Sequence, residues 1–171
     1  IMLNLQKERC HNINLVSPTH VMPQTVSALY LAAKQGLSIP VIYNTSGYEL
    51  PEIIKELEDI VDVYLVDMRY ADETMAVKYS RAPNYPQLNK LSVQEMFRQK
   101  GFVATDEEGI IQKGIIIRHL VLPNNISGTE SIFKFIAEEL SPEVSVSLMS
   151  QYLPCHLAEK IPELSRRISL Q

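Results

Sequence analysis

Polar residues end or interrupt five apolar runs in this sequence, and their types suit the recognition of a small charged ligand. Asp67 and Arg69 alternate with Val66 and Met68, so both lie on one face at the end of a strand. Together they could hold a zwitterion, Asp67 taking an ammonium and Arg69 a carboxylate; alternatively they pair with each other or cap the next helix. Arg118 follows Ile115-Ile116-Ile117 and precedes Leu120-Val121-Leu122. A guanidinium inside so apolar a strand needs a ligand carboxylate or phosphate, or an ion pair with Asp67. Asn44-Thr45-Ser46-Gly47 is a turn rich in donors and acceptors, with Gly47 open to a positive φ or a close backbone approach. Ser17-Pro18-Thr19-His20 and Gln151-Tyr152 end two further apolar runs.

Other reactive types carry less. Cys10 and Cys155 have no metal-ligand spacing with each other or with histidines and read as incidental thiols. His119 alternates with Arg118 and so faces the opposite side of the strand, while His11 and His156 read as structural or surface residues. Tyr79, Tyr85 and Tyr152 could line a pocket, although aromatic residues beside prolines commonly serve packing. No glycine-rich phosphate loop, nucleophile elbow or His-Glu-x-x-His occurs.

The elements that must position these residues follow a strand–helix beat. The strands are expected at 12–17, 39–43, 62–67, 114–121 and 144–149. Helices are expected at 1–9, 23–35, 50–58, 73–79, 87–99 and 129–140, with a short one at 162–167. Gly36 ends one helix, Asp72 caps another, and Ser127 or Thr129 caps the helix at 129–140. Residues 80–86 form a rigid loop, and 102–114 a hairpin or turn feeding the following strand. Parallel strands joined by helices put their C-terminal ends on one rim, so the polar clusters converge. Polar residues at every strand end favour a barrel or part-barrel over an open doubly wound sheet. Five strands do not close readily, so a curved open α/β sheet is expected.

Composition sets the frame. The 171 residues are 46% hydrophobic and 21% charged, enough for one domain over 1–171 with a substantial core. A net charge of −4 gives no electrostatic case for nucleic acid or an acidic membrane surface. No apolar run approaches the roughly 20 residues that span a bilayer, and the opening residues lack a basic-then-apolar signal layout. Two cysteines suit a cytoplasmic protein. The chain opens on Ile1 with the apolar spacing of a helix tail and reads as a piece of a longer polypeptide, or as its ordered part.

Five segments together carry a resemblance: Asn14-Leu15-Val16-Ser17-Pro18-Thr19-His20, Tyr43-Asn44-Thr45-Ser46-Gly47-Tyr48, Tyr64-Leu65-Val66-Asp67-Met68-Arg69-Tyr70, Ile117-Arg118-His119-Leu120-Val121-Leu122-Pro123 and Leu148-Met149-Ser150-Gln151-Tyr152-Leu153-Pro154. In this order they resemble the radical SAM proteins related to pyruvate formate-lyase activating enzyme, over nearly the whole chain. The resemblance implies a partial (βα) barrel with helices on its outer face, holding a 4Fe–4S cluster and S-adenosylmethionine. It implies an oxidoreductase that reductively cleaves S-adenosylmethionine to a 5′-deoxyadenosyl radical, with an electron donor and a glycyl radical enzyme as protein partner.

Residue by residue, the resemblance places the S-adenosylmethionine site on Thr19, Asn44, Thr45, Asp67, Arg69, Arg118, Gln151 and Tyr152. The Gly-Gly-Glu that holds the methionine amino group falls near Pro18-Thr19-His20, where the glycines and the carboxylate are replaced. The third-strand acidic residue falls at Asn44, and the fourth-strand Asp-x-Lys falls on Asp67-Met68-Arg69, which keeps charge but changes donor geometry. The fifth-strand Arg falls on Arg118 unchanged. The sixth-strand His region falls near Gln151-Tyr152 with no His in register. The cluster-binding Cys-x-x-x-Cys-x-x-Cys and the first strand would lie upstream, and Cys10 alone cannot replace them. The chain by itself is therefore expected to hold no cluster and to be inactive. Two other readings stay open: a non-catalytic remnant that binds a partner along a free strand edge, and a redox-free βα-barrel lyase or isomerase. The latter wants a lysine or paired carboxylates at the strand ends, and no lysine lies there.

Overall fold

The computed structural model describes residues 1–169 as an α/β fold built on a six-stranded, mostly parallel sheet. The strands are β1 (Ile13–Val16), β2 (Val41–Thr45), β3 (Val63–Asp67), β4 (Ala104–Thr105), β5 (Ile111–Leu120) and β6 (Ser145–Met149). Five run parallel in the spatial order β1-β2-β3-β5-β6, and β4 lies antiparallel to the first residues of β5. The sheet does not close on itself. The helices are α1 (Met2–Lys7), α2 (Met22–Ala33), α3 (Pro51–Lys55), α4 (Glu73–Ser80), α5 (Tyr85–Lys100) and α6 (Thr129–Phe135). Among the described residues, no helix is long and apolar enough to cross a membrane.

Alternation along the strands separates two faces. Tyr43 of β2, Tyr64 and Val66 of β3, and Ile115 and Ile117 of β5 are fully buried. They pack with Met22, Ile54, Val93, Met96, Ile132 and Phe135 from α2, α3, α5 and α6. The intervening residues Ile42, Asn44, Leu65, Ile116, Arg118, Leu120 and Met149 are only half-buried. These helices thus cover one face and leave the other open. The β4–β5 turn reaches the lower end of the open face, where Gly109, Ile110 and Ile111 line a cavity of about 260 Å³ with Leu65 and Ile116. Asp106 shapes that turn by accepting from the Glu108 and Ile110 amides at 3.0 and 2.9 Å.

The elements depart from the sequence expectations where side chains compete for the backbone. The second strand begins at Val41, because Gln6 Oε1 takes the Ser38 and Ile39 amides at 2.7 and 3.2 Å. It runs on to Thr45 because its ladder with β3 continues through Asn44 and Thr45. Helix α5 starts at Tyr85, two residues early, after Asn84 turns at φ +59°. Helix α6 is capped by Gly128 rather than by Ser127 or Thr129, and continues as a π turn over Ile136–Leu140. Those hydroxyls are spent elsewhere: Ser127 accepts from the Leu122 amide, and Thr129 bonds the His119 ring. The short helix expected at 162–167 is absent; a 3₁₀ turn forms instead at His156–Lys160. Asp72 caps α4, accepting from the Met75 amide at 3.0 Å.

His119 is fully buried and faces the helices, its ring between the Met68 carbonyl (2.7 Å) and Thr129 (2.9 Å). Burial holds its pKa below the ordinary 6.5, and the bond to the Met68 carbonyl offsets only part of that. A depressed value means that protonation favours the unfolded chain. This contribution is complete above about pH 6.5 and is lost as pH falls through the folded value. Urea titrations between pH 5 and 8 are expected to show stability falling on the acid side, and His119→Gln is expected to flatten that part of the profile.

Candidate functional site

Asp67 and Arg118 end up opposite each other because β3 and β5 are parallel neighbours in register from Val63↔Gly114 to Asp67↔Arg118. Both lie on the open face. Arg118 Nε donates to Asp67 Oδ1 at 2.7 Å, and Arg118 Nη2 reaches across β3 to Asn44 Oδ1 at 2.8 Å. Arg69 takes the other carboxylate oxygen, with Nη2 at 2.7 Å and Nε at 3.2 Å from Asp67 Oδ2. The Asp67 side chain is 11% exposed, Arg118 27% and Arg69 52%, so the carboxylate is sheltered while one of its two cations faces water. Two guanidiniums and one carboxylate leave a charge of +1. They border a cavity of about 470 Å³ whose remaining walls are Tyr70, Leu120, Leu122 and Met149. The arrangement can receive an anionic group beside an apolar or aromatic one.

The loops behind the pair are fixed by close packing. Gly47 has φ +73°, and a Cβ there would stand 2.6 Å from the Asp67 carbonyl oxygen and collide with the Asn89 amide. Asn89 Nδ2 donates to that same oxygen at 2.9 Å and to the Gly47 carbonyl at 3.2 Å. Tyr85 Oη accepts from the Arg69 amide at 3.0 Å and donates to the Ser46 carbonyl at 2.9 Å.

Of the eight residues proposed from sequence, the structure brings together Asn44, Asp67, Arg69 and Arg118. It does not bring the other four to them. Thr45 is one residue from Asn44 and so points to the helix-covered face, where its hydroxyl donates to Glu49 Oε1 at 2.6 Å. Thr19 donates to that same oxygen at 2.7 Å. These two threonines bind a buried carboxylate of the chain instead of the Asp67 rim. Gln151 and Tyr152 follow β6 after its ladder has ended and line a different cavity with Leu153, Arg167 and Ile168. The Tyr152 hydroxyl is spent on the Leu164 carbonyl at 2.9 Å.

Sequence reasoning missed Glu49, Asn89 and the apolar wall, and it offers Tyr85 as a pocket-lining ring without its bonds to the Arg69 amide and the Ser46 carbonyl. Leu120 shares the parity of Arg118, and that alternation was available in the sequence. The Thr45-x-x-x-Glu49 and Tyr85-x-x-x-Asn89 spacings are visible too; Thr45 does bond Glu49, but the Thr19 hydroxyl and the backbone atoms that Tyr85 and Asn89 hold belong to distant segments. Cys10 is half-buried, Cys155 is exposed and both are free thiols. Among the described residues, no group of three or more His, Cys, Asp or Glu could hold a metal ion.

The chain is similar to the uncharacterized protein MJ0674 of Methanocaldococcus jannaschii, with 31% identity over 169 residues. That match takes in 97% of this chain and 45% of the relative, so the chain spans less than half the length of the protein it matches. No family model and no solved structure matches the chain.

The exposures separate the roles of the two arginines. Asp67→Asn is expected to cost about 2–3 kcal/mol of stability, because it leaves the sheltered Arg118 charge without its partner. Arg69→Ala is expected to cost less than about 1 kcal/mol, since that pair is half in water. Chemical denaturation of the two variants checks the order.

Proposed function

We propose that the parallel sheet belongs to a partial (βα) barrel of the radical SAM type, and that its open face binds S-adenosylmethionine at the rim. The observation that carries this reading is the Asp67–Arg118 pair with its +1 surroundings, beside a cavity on the sheet face that the helices leave uncovered. The order of the five motifs along the chain supports it as well.

The residues present fit that ligand in a particular way. Arg118 spends Nε and Nη2 on Asp67 and Asn44, which orients the guanidinium and leaves its remaining donors for a carboxylate. Asp67 already accepts from two cations, so a ligand ammonium gains the carboxylate by displacing the half-exposed Arg69, not the sheltered Arg118. Tyr70, Leu120, Leu122 and Met149 offer an apolar and aromatic wall for a nucleoside. Bound there, S-adenosylmethionine would supply homolytic chemistry at its 5′-carbon, directed at a C–H bond of a protein substrate such as a glycyl radical enzyme, with an electron from an external donor. The described residues do not fit a 4Fe–4S cluster, since two isolated thiols cannot replace a cysteine triad. The reading assigns the cluster to polypeptide outside these 171 residues, in a cytoplasmic protein, and assigns the chain ligand binding alone.

A second reading rests on the same open face. Its half-buried Ile42, Leu65 and Ile116, with Val16 at the β1 edge 68% exposed, suit a non-catalytic module that covers this surface with a partner.

The two readings separate on the intact gene product purified without oxygen. The enzyme reading expects about four irons per chain, release of 5′-deoxyadenosine on reduction, and an affinity for S-adenosylmethionine weakened about tenfold or more by Arg118→Gln. Absence of iron together with affinity unchanged in Arg118→Gln would refute it.

A further inference from the structure

We infer that Tyr85 is a positioning residue for Arg69, and that through Tyr85 and Asn89 helix α5 sets the geometry of the rim. The inference rests on the reading of that rim as a binding site, but its first readout needs no ligand.

The backbone bonds from β3 to β5 end with the Met68 amide on the Arg118 carbonyl at 2.9 Å, so Arg69 is the first residue beyond them. Its amide is held by the Tyr85 hydroxyl at 3.0 Å. That hydroxyl has one proton, directed to the Ser46 carbonyl at 2.9 Å, with the Asp67 carbonyl farther off at 3.3 Å. One oxygen atom thus ties the exit of β2 to the exit of β3. Asn89, one helical turn later, makes the same connection between Gly47 and Asp67. Tyr85 is 3% exposed and Asn89 1%, so water does not compete with these bonds. Burial pushes the Tyr85 pKa well up, and the hydroxyl keeps its proton throughout the working pH range.

The Tyr85 ring also packs on both neighbours of the site. It meets Tyr70 edge-on, with centroids 5.9 Å apart, and Tyr48 at 5.8 Å. Tyr70 and Arg69 line both the 470 Å³ cavity and a smaller one of about 170 Å³ beyond Arg69, whose walls include Tyr48 and Tyr85. Arg69 therefore stands between two spaces, and its side chain is half in solvent. The backbone bond to Tyr85, together with the Asp67 carboxylate, keeps the guanidinium on the Asp67 side. Removing the hydroxyl while keeping the ring frees the Arg69 backbone and lets the side chain leave the carboxylate without emptying the aromatic cluster.

The experiment is solvent exchange of the Arg69 Nε–H by ¹⁵N NMR in the wild-type chain, Tyr85→Phe and Asp67→Asn. The expected result is exchange accelerated about threefold or more in Tyr85→Phe, in the direction of the larger acceleration in Asp67→Asn, with amide shifts concentrated at 46–47 and 67–70. A lowered thermal midpoint with Arg69 exchange unchanged would reduce Tyr85 to a packing residue and overturn the inference. So would an Arg69 signal that Asp67→Asn does not move, since the pair would then not exist. Should Tyr85→Phe fail to fold, Asn89→Ala carries the same test through the Asp67 carbonyl. S-adenosylmethionine titration forms a separate arm. Wild type that does not bind it refutes the proposed ligand and leaves the exchange result standing. Wild type that binds it is expected to gain about threefold in affinity on Tyr85→Phe, because the ammonium then displaces a less firmly held Arg69.

Discussion

A carboxylate held between two guanidiniums, on a sheet face without helices, sets the conditions for everything around it. Asp67 is too sheltered to stand alone, and Arg118 is too deep in an apolar strand to stand without it. Their mutual satisfaction depends on the parallel register of β3 and β5, which places them opposite each other at the last shared rung. Asn44 extends the arrangement to β2, so three adjacent strand ends share one polar group of side chains. The third member differs in kind. Arg69 is half in water and contributes a charge that can move at small cost. A rigid pair and a movable cation together make a site that is positive on balance and able to exchange partners.

The rim is shaped from behind as much as from the sheet. Gly47 brings the β2 exit so close to the Asp67 carbonyl that no larger side chain fits. Tyr85 and Asn89 of α5 then satisfy the backbone groups that this approach buries. The helix-covered face carries a parallel arrangement around Glu49, whose Oε1 accepts from Thr19, Tyr43 and Thr45. That carboxylate binds the first two strand exits together below the plane of the candidate site. One side of the sheet therefore spends its polar residues on holding the loops, and the other keeps them on the face that the helices leave open.

Much of this was legible in the sequence. The five parallel strands follow from short apolar runs separated by helical spacing, and the β4–β5 hairpin from Asp106 and Gly109 beside alternating residues. Alternation alone puts Arg118 and His119 on opposite faces, and the need of a charge in an apolar strand for a partner makes Asp67 one of the candidates for Arg118. The same rule applied to Asn44 and Thr45 separates them, and placing both in one site set it aside. Thr19, Gln151 and Tyr152 stand at strand ends in the sequence, but side chains beyond the last ladder bond follow the loop, not the sheet. Their destinations, Glu49 and the Leu164 carbonyl, lie far enough along the chain that no local pattern announces them. Element ends shifted for a similar reason. Gln6 holds residues 38 and 39 from 32 and 33 positions away, and no propensity contains that contact.

The central claim is that the open rim, rather than the helix-covered threonines or the end of β6, receives the ligand. Amide shift mapping of the ¹⁵N-labelled chain during addition of S-adenosylmethionine tests it most directly. The account predicts saturable shifts at Asn44, Asp67, Arg69, Arg118, Leu120 and Met149, with Thr19, Thr45 and Gln151 still. Shifts confined to Thr19, Thr45 and Gln151, or no saturable shift at the rim, would contradict it.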